Sequence, residues 1–159
     1  MGSGKSFLGK LWAEDNAIPF YDLDLLIEEE ERMTIEKIFS TYGEDYFREK
    51  EAAVLRNTDR FEKGIIACGG GTPCYFDNMQ WMNKNGITVF LNETANQIYH
   101  HIINDKKVRP LIQSQDQTTL LTFIENKLEV RKPFYEECQL ILNPDQLNRN
   151  GFREIEKLV

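Results

Sequence analysis

The stretch Met1-Gly2-Ser3-Gly4-Lys5-Ser6 fixes the starting point of the fold. Small residues let backbone N–H groups wrap an anion, and a helix starting there adds favourable partial charge. A lysine so placed reaches the β- and γ-phosphates of a nucleotide, and a serine hydroxyl suits Mg²⁺. Gly2, Ser3, Gly4, Lys5, Ser6 and Phe7 are therefore candidate nucleotide contacts, with Ser6 also a candidate metal ligand. The full pattern G-x-x-x-x-G-K-[ST] puts its first glycine, and a strand before that, ahead of Met1, so a truncated N-terminus is expected. A short Gly/Ser tail carries similar letters, and the remaining residues must decide.

The chain has 159 residues, of which 41% are apolar and 11% aromatic, enough for one domain with one core. A net charge of −7 without a long basic run argues against duplex DNA or an anionic membrane as partner. No stretch approaches a membrane span. Cys68, Cys74 and Cys138 are odd in number and lack C-x-x-C spacing, so a disulfide framework and a zinc site are both disfavoured and a reducing cytoplasm fits.

Phe7, Leu8, Leu11 and Trp12 predict a helix from Lys5 to about Asp15. A short strand, Ile18–Tyr21, then ends in Asp22-Leu23-Asp24, and strand alternation gives the two carboxylates the same general direction. Residues 25–60 read as helical, punctuated by Thr34 and Gly43. Arg48 and Glu51 share a helix face there, which from spacing alone describes an ordinary solvated pair as well as a buried one. Ile65–Cys68 is a buried parallel strand that runs into Gly69-Gly70-Gly71, a loop able to press bare backbone against a ligand. A helix around Met79–Met82, a strand at Ile87–Leu91 and a helix through Ile98–Ile103 follow. Residues 104–116 are polar and charged, fitting either a mobile flap or a plain loop. The next helix, through Leu120 and Leu128, carries Arg131 and is expected to stop at Lys132-Pro133. Leu140–Leu142 is the last strand, and Phe152, Ile155 and Leu158 mark a closing helix. Strands alternating with helices imply an α/β three-layer domain around a parallel sheet.

Taken together, GSGKS, FYDLD at 20–24, GEDYFREKE at 43–51, CGGG at 68–71, VRPLI at 108–112 and RKPFY at 131–135 resemble shikimate kinase over nearly the whole chain. The resemblance implies a single P-loop NTPase domain over residues 1–159, with a central parallel sheet of about five strands including the missing first. A substrate-binding helical segment would span about 25–60 and a lid about 104–116. It implies ATP-dependent phosphorylation of the 3-hydroxyl of shikimate, on the route to chorismate and the aromatic amino acids, by a cytoplasmic monomer. Lys5, Asp24 and Arg109 would be catalytic. Asp22 would join Ser6 near Mg²⁺, and Asp24 would hydrogen-bond the hydroxyls and accept the proton. Arg48 and Arg131 would clamp the substrate carboxylate, with Glu51 holding Arg48, and Gly69, Gly70 and Gly71 would line the substrate. Arg109 would arrive with the lid to meet the transferring phosphoryl group and also contact ATP.

Cys68 stands where the resemblance leads one to expect Ser or Thr, and the adenine side offers only His100, His101 and Lys106. Two other readings stay open at this point. One is a sister kinase of the same fold acting on another small molecule, such as gluconate; the other is a catalytically silent nucleotide-binding module.

Overall fold

A helix starts directly after Gly4 because that glycine takes φ 66°, a left-handed conformation that residues with a side chain rarely adopt. The computed structural model describes residues 3–104 and 117–158. Gly2, Arg109 and all of the expected lid except Asn104 lie outside the described residues.

The chain forms two compact units, Ser6–Ile87 in one and the described residues from Thr88 onward, with those up to Lys5, in the other. The elements of the first are α1 (Lys5–Asp15), β1 (Phe20–Asp22), α2 (Leu23–Glu31), α3 (Ile35–Arg56), β2 (Ile65–Ala67) and α4 (Asn78–Asn85). Strand β1 pairs with β2 in parallel, Tyr21 opposite Ile66. Helix α1 lies close over this pair, because a Cβ on Gly9 would come within 2.7 Å of the Phe20 ring. The core is built from Leu23 and Ile27 of α2 against Ile38, Phe47, Val54 and Leu55 of α3, all buried. Lys50 and the Tyr46 hydroxyl, each 2.7 Å from a Glu31 oxygen, tie the end of α2 to α3.

The second unit contains β3 (Val89–Leu91), α5 (Ala95–Asn104), α6 (Gln117–Tyr135), β4 (Leu140–Leu142) and α7 (Phe152–Glu156). Strands β3 and β4 pair in parallel, Phe90 opposite Ile141. Ile98, Tyr99 and Ile102 of α5 pack on Leu120 and Ile124 of α6. Each strand among the described residues thus has one parallel partner, β1 with β2 and β3 with β4, in two two-stranded sheets, where a single central sheet was expected from sequence. No helix among the described residues is long and apolar enough to cross a membrane.

Two local expectations are corrected. Asp24 does not continue a strand: Asp22 Oδ1 accepts from the Asp24 backbone N–H at 3.1 Å and so caps α2, which begins at Leu23. The two carboxylates are therefore separated by helical rotation instead of strand alternation. Helix α6 also does not stop before Pro133; it runs to Tyr135, and the Glu136 N–H still donates to the Lys132 carbonyl at 2.9 Å. Proline removes one N–H there, a loss the last turn tolerates.

Thr34 caps α3 by accepting from the Lys37 N–H, but the helix is broken at Gly43, with φ 84° and ψ 179°. That region of backbone space is essentially restricted to glycine. A Cβ on Gly43 would meet no atom within 4 Å, so conformation alone makes this position intolerant. Gly43→Ala is expected to cost about 1–3 kcal/mol in urea unfolding despite the open space around it.

Candidate active site

Ser6, in the first turn of α1, donates its hydroxyl to Asp22 Oδ2 at 2.9 Å. This joins the end of the glycine-rich loop to the carboxyl edge of β1, and it completes the use of Asp22, whose other oxygen caps α2. A hydroxyl and a carboxylate held together are hard oxygen donors of the kind Mg²⁺ takes alongside nucleotide phosphates. Among the described residues no cluster of three His, Cys, Asp or Glu side chains is placed to hold a metal ion.

The turn after β2 gathers most of the other predicted residues of this unit. A Cβ on Gly69 would lie 3.2 Å from Thr72 Oγ1, 3.3 Å from Glu51 Oε1 and 3.5 Å from Asp24 Oδ1. One on Gly71 would come within 2.7 Å of Arg48 Nη2 and 2.9 Å of Nη1. Asp24, Arg48, Glu51, Gly69 and Gly71 are thus brought together around one glycine turn, with Gly70 between its two packed neighbours. Ser3 and Gly4 lead into α1, and Lys5 is its first residue. Phe7 is exposed. Arg131 sits on α6, in the other unit.

Glu51 is fully buried, and Arg48 is 8% exposed. Arg48 Nη1 donates to Glu51 Oε2 at 2.8 Å, while the Thr72 hydroxyl donates to Oε1 at 2.6 Å. The pair is therefore not the solvated contact that its spacing equally allowed. Burial works to lower the Arg48 pKa, but the Glu51 and Glu44 carboxylates outweigh it and hold the guanidinium above its usual value. The Thr72 carbonyl accepts from Asn78 Nδ2 at 2.9 Å, and Asn78 Oδ1 accepts from Arg56 Nη1 at 2.7 Å. Arg56 also reaches the Ala52 carbonyl and the Asp77 carboxylate.

Thr72, Asn78, Glu44 and Tyr75 were not singled out from sequence. Glu44 stands four residues before Arg48, a spacing that carried the information; Thr72, Asn78 and Tyr75 carry no local pattern pointing to the site.

The model of the shikimate kinase family matches residues 1–159. A Bacteroides thetaiotaomicron shikimate kinase is 42% identical over 147 residues, covering 92% of this chain and 84% of that relative. The chain belongs to the shikimate kinase family. A Caldicellulosiruptor bescii shikimate kinase is 37% identical, with 92% of this chain and 83% of the relative covered. Among solved structures, the Bacteroides thetaiotaomicron shikimate kinase superposes with a TM-score of 0.91 at 39% identity, covering 99% of this chain and 93% of that one. The Acinetobacter baumannii shikimate kinase in complex with shikimate gives 0.81 at 29%, covering 99% and 87%. The architecture is that of P-loop kinases, and the family's reaction is ATP-dependent phosphorylation of shikimate.

Removing Glu51 from this shikimate kinase family member strands a buried guanidinium, so Glu51→Ala is expected to cost about 3–5 kcal/mol in denaturant unfolding. Glu44→Ala, at the exposed partner of the same arginine, should cost no more than about 1 kcal/mol.

Proposed function

We propose that this chain phosphorylates the 3-hydroxyl of shikimate with ATP, within one kinase domain, through the residues assembled at the glycine turn and the phosphate loop. The observation that carries this assignment is the placing of Gly69 against Asp24 and of Gly71 against Arg48. The Cα atoms of these two glycines are at most about 7 Å apart, so a group that takes hydroxyls and one that takes a carboxylate line the same short turn. A hydroxylated ring acid such as shikimate presents both kinds of group.

Asp24, in the first turn of α2, accepts the ring hydroxyls and the proton released as the 3-oxygen attacks the γ-phosphorus. Arg48 orients the substrate carboxylate, and its orientation depends on Glu51 and Thr72. Arg131 is the second carboxylate ligand, Gly70 donates its backbone N–H, and Gly69 and Gly71, bare of side chains, let the turn line the substrate close beside Asp24 and Arg48. Gly2, Ser3, Gly4, Lys5, Ser6 and Phe7 hold ATP, Lys5 neutralising charge on the transferring group, with Arg109 of the lid meeting the same charge and ATP. Ser6 and Asp22 would hold Mg²⁺, which supplies electrostatic stabilisation of the phosphates when bound. On this reading the enzyme is a cytoplasmic monomer without nucleic-acid or membrane partners; its charge of −7 disfavours polyanionic partners.

Coupled ADP-release assays with Mg²⁺-ATP and shikimate, gluconate or a nucleoside monophosphate test this assignment. Turnover is expected with shikimate, falling about 10²–10⁴-fold in kcat for Asp24→Ala. Arg48→Lys should act mainly on the KM for shikimate. Turnover confined to gluconate would move the substrate, and ATP binding without turnover of any acceptor would make the chain a silent module.

A further inference from the structure

Arg48 is gripped by two carboxylates of opposite character. Glu51 is buried and holds Nη1. Glu44 has a side chain 52% exposed, and its Oε1 accepts from Nε at 3.2 Å and from Nη2 at 3.0 Å, spanning the side edge of the guanidinium. The Tyr75 hydroxyl donates to the same oxygen at 2.9 Å, and its ring lies beneath the guanidinium at 4.2 Å. Gly71 closes on Nη1 and Nη2, and Tyr75 covers a face. The edge reachable by a new carboxylate is thus the one Glu44 spans.

We propose that Glu44 is an internal competitor for the carboxylate-binding edge of Arg48, held there by Tyr75, and that an acceptor carboxylate binds by exchanging with it. Tyr75 has two opposed effects. Its hydroxyl steadies the competitor, while its ring keeps the guanidinium flat for whichever carboxylate occupies the edge. The exchange is open to an incoming carboxylate because Glu44, the partner given up, is half-exposed and can return to water, while Glu51, the partner kept, is buried. Glu44 and Tyr75 are accordingly positioning residues that set acceptor affinity. This inference rests on the shikimate kinase assignment above.

The test is calorimetric titration of the full chain with shikimate and with its methyl ester, beside steady-state kinetics. Glu44→Gln keeps size and removes charge; it is expected to bind shikimate about two- to fivefold tighter. KM for shikimate should fall in parallel while KM for ATP is unchanged and the weak binding of the ester is unaffected. Tyr75→Phe keeps the ring and should shift affinity in the same direction by less, whereas Tyr75→Leu should weaken binding. A parent that binds shikimate while Glu44→Gln binds it equally or more weakly overturns the competition alone. Equal tightening toward the ester also overturns it, since the effect would not then be carried by the carboxylate. A parent that neither binds nor turns over shikimate overturns the assignment, and this inference with it.

Discussion

The site depends on one buried ion pair. Taking Glu51 out of water costs several kcal/mol, and that cost is offset only if both oxygens are satisfied by good donors. Arg48 serves one and Thr72 the other. Because Thr72 lies in the turn after β2 and Arg48 on α3, satisfying Glu51 fixes the glycine turn against the helix. The pair therefore acts as a positional constraint more than as a source of stability. An apolar pair of similar volume would serve stability as well, but would leave nothing to orient a ligand.

The same logic extends along α3. Arg48, Glu51, Ala52, Leu55 and Arg56 recur at spacings of three and four and share one face. That face is not uniformly apolar. Arg56 repeats the arrangement one stage further out, joining the Ala52 carbonyl to Asn78, which in turn holds the Thr72 carbonyl. The break at Gly43 lies immediately before Glu44, so the glycine sets the direction from which Glu44 meets the guanidinium. Backbone conformation, burial and hydrogen bonding thus converge on one side chain.

Much of this was legible in sequence. The short apolar runs marked all four described strands, and the phosphate loop was marked by residues that leave backbone bare. What failed to show was anything set by competition between local hydrogen bonds. The strand reads as ending in Asp22-Leu23-Asp24 with a helix from residue 25, yet the Asp22 carboxylate satisfies an orphan helix N–H and starts the helix two residues early. Pro133 reads as a stop, but proline's fixed φ is compatible with helix and it forfeits only its own N–H, so the Glu136 N–H still closes the last turn on the Lys132 carbonyl. The spacing of Arg48 and Glu51 was visible, whereas their burial was not, since a solvated pair has the same spacing. Thr72 and Tyr75 belong to the site through tertiary contacts some 21 to 31 residues away in sequence, which no local pattern records.

An arginine is needed at position 48 for a reason that charge alone does not supply. Lysine carries its three donors at a single point, so a carboxylate that anchored it from below would compete directly with any carboxylate approaching from outside. The guanidinium separates these tasks in space. Nη1 is committed to Glu51 in the interior, while Nε and Nη2 form an edge a few ångströms away, facing the exposed Glu44. Delocalisation keeps the group planar, so fixing one nitrogen aims the others, and Tyr75 beneath the plane removes the remaining freedom to tilt. A rigid fork anchored at one corner can then exchange one outer carboxylate for another without losing its place, a condition that a recognition site for a carboxylate-bearing acceptor has to meet.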